Sequence, residues 1–441
     1  MVKLGKYSRS VSIIGVGCTP FMNFLDNPAT EGLSEGEVFG YAALAAMDAG
    51  VEAKDVDFYF HTQANPYMGS DYITPNMQVA DWFGMRGKGS AHHSEACCSG
   101  HHSEACCSGY LALDLAVNAV ASGKFDVVLS GCVDLADSLP VANMPAHMRR
   151  KFSFEEFIVS TKLIYDRAYS RPLAAGPMIA FDDVAAWYTH AYGLTDEKMD
   201  DILNAAAINN RRNAAKCPLA INRTEFKDLA KENGYLAKEN GFDDVMAFMR
   251  SPFNPKLSEY LRISGFETKC DGAAAVIVCP TEMAKDFKGT PIEVLGIGNA
   301  AFEGSQAHLE MRGTEEAVRQ AYEVTGLTPS DIDLFYANDF IITSHLIAAE
   351  IAGYLPKGEG WKYIMDGRTA YDGDRPINTN GGRASFGHAH AASGMADIFE
   401  AVQQMRGLCG ERQVKKLPKH TMLRGFGGGQ NLAAIILGAL N

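Results

Sequence analysis

The sequence predicts an α/β fold built as two similar halves. Apolar strand-like runs alternate with helical patterns along the chain. Each half closes alike, on a glycine turn followed by an alanine- and isoleucine-rich run, and 441 residues exceed one ordinary core. The expected division is residues 1–280 and 288–441, with a segment of about 140–260 inserted in the first half.

Taken in order, Val11 to Gly17 is a short apolar run that reads as a buried strand. Its glycines do not make a dinucleotide fingerprint, because Cys18-Thr19-Pro20 follows and Pro20 forbids the required helix. Val38, Ala42, Ala45 and Ala46 give a helical period between Ser34 and Gly50, and Asp57 to Thr62 returns to strand. Phe125 to Leu129 is a further strand, closed by Ser130-Gly131. From about 140 to 260 the texture changes to methionine, proline and basic residues, with a helical stretch near 196–215 and a lysine-rich one near 224–240. This reads as a cover laid over the sheet. Asp271 to Val278 resumes the sheet, and a second cycle follows: strand 291–298, helix 314–326, strand 333–336, helices 343–353 and 393–406, and strand 432–440.

Nearly half the residues are hydrophobic and 21% are charged, as in a soluble globular chain. A net charge of -13 argues against nucleic acid as the main partner, so an anionic substrate needs a local basic patch. Arg149, Arg150 and Lys151, or Arg211 and Arg212, could supply it as charge-assisted donors to phosphate, although such groups are more often solvated surface charge. Ten cysteines without a spaced framework, and no N-terminal signal pattern, lead to the expectation of a cytoplasmic protein. No apolar run is long enough to span a bilayer.

The stretch with most chemical content is Ser103-Glu104-Ala105-Cys106-Cys107-Ser108-Gly109, which leads into an apolar-periodic helix. A cysteine at a helix start lies among backbone N–H groups and the positive end of the dipole, which favours the thiolate. Cys106 is therefore the candidate nucleophile. The plain alternative is that Cys106 and Cys107 are buried small hydrophobes. Residues 92–100 repeat letter for letter at 101–109. Only the second copy runs directly into the helix, so Cys97 is expected in an extra loop. Adjacent cysteines do not readily share one tetrahedral ion and no Cys-x-x-Cys spacing occurs, so no metal site is expected.

The second half carries three glycine-marked segments: Asn378-Thr379-Asn380-Gly381-Gly382, Gly387-His388 through Ser393-Gly394, and Gly425-Phe426-Gly427-Gly428-Gly429. The first is a turn and the last a loop that offers only backbone. A lone histidine in a turn is usually structural. Beside a helix-start cysteine, His388 is better explained as its base and as an oxyanion donor.

Cys-x-Ser-Gly-x-x-Ala at 106–112, Asn-Gly-Gly at 380–382, Gly-His-x-x-x-x-Ser-Gly at 387–394 and the glycine loop at 427 together resemble the thiolase superfamily. The opening Ile-Ile-Gly-Val-Gly and the Asp-Gly-Ala-Ala-Ala-Val run resemble its sterol-carrier-protein-linked branch. The resemblance spans nearly the whole chain. It implies a five-layered α/β/α/β/α fold, a loop domain over coenzyme A, a homodimeric core, and acyl transfer through an acyl-Cys106 activated by His388. It also implies coenzyme A as a substrate held near Gly427, Gly428 and Gly429, and in some members a small zinc-ribbon and OB-fold partner subunit.

The departures are as informative. Where the family has Asn-Glu-Ala-Phe or His-Asp-Cys-Phe, this chain has Asn338-Asp339-Phe340-Ile341. Asn338 would hold the water-positioning role, with Asp339 as its acidic neighbour. The two places from which the family draws a second cysteine hold Phe340 and Gly425, leaving proton transfer at the substrate Cα without an obvious group. His388 with a water on Asn338 is the favoured source, and Cys270 reads as packing. The expected activity is cleavage or formation of a 3-oxoacyl-CoA, with benzoylsuccinyl-CoA one substrate in character. A retro-aldolase on the same fold, which would lack the nucleophile, and a non-catalytic scaffold are the alternatives.

Overall fold

A computed structural model describes residues 8–63, 79, 83–94, 105–135, 177–233, 245–301, 311–427 and 431–440. Among these residues nine strands form one hydrogen-bonded sheet: β1 (Val11–Cys18), β2 (Phe58–Gln63), β3 (Gly89–Ser94), β4 (Val128–Leu135), β5 (Asp271–Pro280), β6 (Ile292–Ala301), β7 (Leu334–Ala337), β8 (His420–Gly427) and β9 (Asn431–Ala439). Their order is β3-β2-β4-β5-β1-β6-β9-β8-β7. The join between the two sides is narrow, since β1 meets β6 only at Ser12↔Glu293 and Ile13↔Ile292. Outward from that join each side repeats one pattern: antiparallel β1/β5/β4 then parallel β2, and antiparallel β6/β9/β8 then parallel β7. Ile377 forms a parallel bridge to Phe335 of β7, standing where β3 stands beside β2.

Side-chain alternation along the strands builds the layers. In β5, Ala273, Ala275 and Ile277 pack beside Val38, Phe39 and Ala42 of α1 (Glu35–Met47). Ala274, Val276 and Val278 point the other way, into a core shared with α2 (Ser108–Ala121) and with Ile435 and Leu437 of β9. Ala434 and Ile436 of β9 face outward to a third cluster. Strands buried on both faces read as continuous apolar runs, and the order of layers is α/β/α/β/α. α1 begins with a capping box in which Ser34 and Glu37 satisfy each other's backbone N–H. The glycines of β1 serve this layer: a Cβ on Gly17 would stand 2.0 Å from the Ala42 carbonyl oxygen, so glycine lets α1 lie close on the strand.

Between β4 and β5 the described residues add helices and no strand to the sheet. They include α3 (Pro177–Ala191), α4 (Asp196–Ala215), α5 (Phe226–Glu232) and α6 (Val245–Met249). α4 presents buried asparagines to the second half: Asn209 donates to Ile364 O, Asn213 to Ile377 O and Asn378 O, and Asn210 to Asp339. Arg149, Arg150 and Lys151 lie outside the described residues. The second half continues with α7 (Arg312–Thr325), α8 (Thr343–Ile351), α9 (Gly360–Met365), α10 (Gly382–Ser385) and α11 (His390–Met405). Among the described residues no helix is long and apolar enough to cross a membrane.

Three local readings change. Ser130-Gly131 does not end its strand, which runs on to Leu135, because Gly131 pairs with Ala275 under the Phe39 ring. β8 replaces the expected loop at Gly425 to Gly427, where Gly425 pairs Ala433 and Gly427 pairs Asn431. The third concerns the exact repeat. Its first copy is not all insertion, since His92, His93 and Ser94 form the end of β3 and pair with His61, Thr62 and Gln63. Cys97 lies outside the described residues.

The repeat therefore divides its work: copy one ends the strand and copy two starts the helix. Deleting residues 92–100 places His101-His102-Ser103, the same three residue types, at the end of β3. The deletion variant is expected to keep the parent's unfolding transition and activity, measured side by side, because loops bear length changes more easily than strands. An intact fold with lost activity would show instead that the extra nine residues contribute to the site.

Candidate active site

Cys106 lies in the 3-10 turn Ala105–Cys107 that feeds α2, and its side chain is partly exposed while Cys107 is buried. α2 crosses α11 at very close range. A Cβ on Gly109 would meet Ala391 O at 2.4 Å and Met395 N at 2.5 Å, so glycine is what allows the two helices to touch here. That contact brings together residues 282 positions apart: His388 Nε2 lies 3.0 Å from Cys106 Sγ.

The histidine is fixed on every side. Its backbone N–H donates to Thr268 O at 2.8 Å and its carbonyl accepts from Cys270 N at 3.2 Å. Nδ1 lies 2.9 Å from Ser393 Oγ, which also accepts the Ala389 N–H. A proton on Nδ1 shared with Ser393 leaves Nε2 to accept from the thiol. Burial, with Arg383, His390 and Lys269 nearby, pushes the imidazole well below its ordinary value, so it is neutral before the reaction. Next to it, burial lowers His390 to about 3.

Asn338 is fully buried at the end of β7 and donates from Nδ2 to Phe426 O at 2.9 Å. Its Oδ1 has no hydrogen-bond partner among the described residues, which leaves an acceptor for a bound water. Asp339 does not fit the role of an acidic neighbour in the chemistry. Oδ2 accepts from Asn210 and Asn378 at 2.7 Å each and meets His345 Nδ1 at 3.3 Å, while Oδ1 accepts the Arg383 N–H at 2.8 Å. Although burial alone would raise it, His345 and Arg383 hold the carboxyl below its ordinary value. A carboxylate so occupied ties α4, the 378–383 turn and α8 together.

The two arginines expected to meet phosphate are likewise engaged within the chain. Arg211 donates to Ser385 Oγ at 3.0 Å and stacks on Phe226, and burial lowers it to about 10. Arg212 pairs with Asp372 at 3.0 Å. A run of basic letters does not show such partners, which come from distant parts of the chain. Gly427 ends β8, and Gly428 and Gly429 lie outside the described residues. Among the described residues no group of three His, Cys, Asp or Glu side chains could hold a metal.

A family profile described as "Thiolase C-terminal domain-like" matches residues 300–439. An acetyl-CoA acetyltransferase of Methanothermobacter thermautotrophicus is 29% identical over 97% of this chain and 98% of its own length. The last third of the chain thus matches the thiolase C-terminal family model, and nearly its whole length is similar to an acetyl-CoA acetyltransferase. A second full-length relative is benzoylsuccinyl-CoA thiolase subunit BbsB of Thauera aromatica, 28% identical over 96% of both chains. These relatives are acyltransferases of the thiolase family. Among solved structures, an Ltp2-ChsH2(DUF35) aldolase superposes with a TM-score of 0.70 at 22% identity over 99% of both chains. Human mitochondrial 3-ketoacyl-CoA thiolase does so at 0.66 and 18%, covering 99% of this chain and all of its own. Both share the fold.

Against the thiolase pattern, the missing second cysteine has a steric reason. A Cβ on Gly425 would stand 2.6 Å from the Tyr110 ring and 2.8 Å from Cys107 Sγ, so the place is filled from α2 and the turn before it. Phe340 is instead part of an aromatic cluster with Phe181 and Phe426. One residue beside His388 is not marked by the sequence. Glu267 Oε2 lies 3.3 Å from His388 Nε2, on the segment leading into β5. Only its place, four residues before Asp271, could have pointed to it.

Proposed function

We propose that this chain is a coenzyme A-dependent thiolase working through an acyl-cysteine. The observation that carries the reading is the 3.0 Å contact between Cys106 Sγ and His388 Nε2 at the entry to α2. His388 takes the thiol proton, and the Cys106 thiolate attacks the 3-oxo carbonyl carbon of an acyl-CoA. The bond between C2 and C3 of the substrate breaks and leaves an enolate. Coenzyme A then attacks the acyl-cysteine and releases it. Asn338 holds a water through Oδ1, and Asp339 positions the turn that carries Arg383 and, beyond it, His388.

A homodimer, and a small zinc-ribbon and OB-fold partner, belong to the same proposal. The name of one relative, a thiolase subunit, and the DUF35 pairing of one structural neighbour support the partner subunit. The proposed location is the cytoplasm. A retro-aldolase lacks support from the site, because the nucleophile and its base are in contact.

Acyl-CoA esters from a panel that includes acetyl-CoA and acetoacetyl-CoA should add one acyl group to the intact chain, mapped by peptide mass to Cys106. Iodoacetamide should also modify Cys106 much faster than Cys132 or Cys217, whose thiols burial raises, Cys217 to about 12. Equal rates at the three cysteines would end the assignment.

A further inference from the structure

The cleavage leaves a carbanion-like enolate that needs a proton at C2, and the usual second cysteine is absent. Asp339 has both oxygens occupied by in-chain donors. Cys270 is buried, with its sulfur against Gly387. His388 already holds the proton of Cys106 at this stage.

Glu267 is differently placed. Its backbone N–H donates to Phe340 O at 2.8 Å, so it is pinned against one of the two positions from which the family draws its second cysteine. The next residue, Thr268, donates its N–H to Arg383 O and accepts the His388 N–H. A bridge between Lys269 and His388 continues the ladder. The carboxyl is thus held by backbone on both sides, with 14% of its side chain exposed toward solvent. Oε2 and Cys106 Sγ both reach Nε2 of the same imidazole, so acid and nucleophile flank one reacting volume.

We propose that Glu267 is the acid that delivers the proton to C2 of the enolate in cleavage and the base that removes it in condensation. This rests on the thiolase reading above. The steps balance. Cys106 gives its proton to His388 and bonds to C3; the C2–C3 electron pair stays on C2; the Glu267 carboxyl protonates C2 and becomes carboxylate. The carboxylate regains a proton from solvent, to which the incoming coenzyme A thiol gives its own, and the coenzyme A sulfur bonds to the acyl carbon. The bond from that carbon to Cys106 breaks, and His388 returns its proton to the departing sulfur. Burial, opposed by Lys269 and Arg383, pushes the Glu267 carboxyl up to about 7, where it can act in both directions near neutral pH. The groups facing it are Lys269, Arg383, His388 and, beyond the imidazole, Cys106 and His390.

The test uses the full chain with acetyl-CoA and acetoacetyl-CoA as probes. Glu267→Gln should still capture an acyl group from acetyl-CoA on Cys106 at the parent's rate, while thiolysis of acetoacetyl-CoA and C2 deuterium exchange from heavy water fall ~10²- to 10⁴-fold. Glu267→Asp should recover part of the exchange. In the parent, exchange should rise with pH through about 7 as the carboxylate forms, and this limb should be missing in Glu267→Gln. Cys270→Ser should leave exchange unchanged. Exchange undiminished in Glu267→Gln overturns the proposal. So does a parallel fall in acyl capture, which would make Glu267 a group that only tunes His388. A parent chain that captures no acyl group would overturn the thiolase reading itself.

Discussion

Replacing Cys106 by alanine is expected to reduce acyl transfer to background, and replacing His388 by alanine to reduce it by ~10²- to 10⁴-fold. The two groups act as one unit across a 3.0 Å contact, so the double variant should be no slower than Cys106→Ala alone. Thiolysis of acetoacetyl-CoA by the purified chain measures all three. The folded state should be little affected by Cys106→Ala, since that side chain is partly exposed, unlike the buried Cys107 beneath Gly425. The pH dependence has a definite sign. The base must be unprotonated to accept from the thiol, and burial holds His388 well below its ordinary value of 6.5. Acyl capture should therefore persist as pH falls through 6.5 and decline only further into the acid range. A Cys106→Ala chain that keeps a substantial part of the parent's turnover would remove the covalent route.

The layered α/β fold was legible because strands buried on both faces write themselves as apolar runs such as Ala273 to Val278. Cys106 and His388 were legible as types in glycine-marked settings, and only the close crossing at Gly109 shows that they meet. β8 was hidden because Gly425 and Gly427 read as a loop, whereas Gly425 is needed for the approach of Tyr110 to the strand. Charge was the least legible property. Arg211, Arg212 and Asp339 each looked available in sequence, and each is engaged by groups from far along the chain. Glu267 sits in a segment with no period of its own, held by single bridges to Phe340, Arg383 and His388. Nothing local marks such a residue. Cys97, Gly428 and Gly429 fall outside the described residues.

Asp397→Ala should be the most destabilising single change around the site. Arg383 and Asp397 are 0% and 1% exposed and paired twice, Nη2 to Oδ2 at 2.7 Å and Nη1 to Oδ1 at 3.0 Å. Tyr110 also donates to Asp397 Oδ2, and Asn380 donates to Oδ1 at 3.1 Å. An arginine cannot shed its charge to escape burial, so removing the carboxylate leaves an uncompensated guanidinium in the core. Breaking one side of such a pair costs about 3–5 kcal/mol, whereas replacing both sides with apolar residues is often near neutral. The double variant Arg383→Met, Asp397→Leu should therefore unfold at higher denaturant than Asp397→Ala alone. The same pair steadies the site, because the Arg383 backbone accepts from Thr268, which in turn accepts the His388 N–H and adjoins Glu267. Asp397→Ala should thus slow acyl capture at Cys106 even under conditions where the chain remains folded. An unfolding midpoint equal to the parent's would show that neighbouring Tyr110 and Asn380 suffice to satisfy the arginine, and the role assigned to Asp397 would fall.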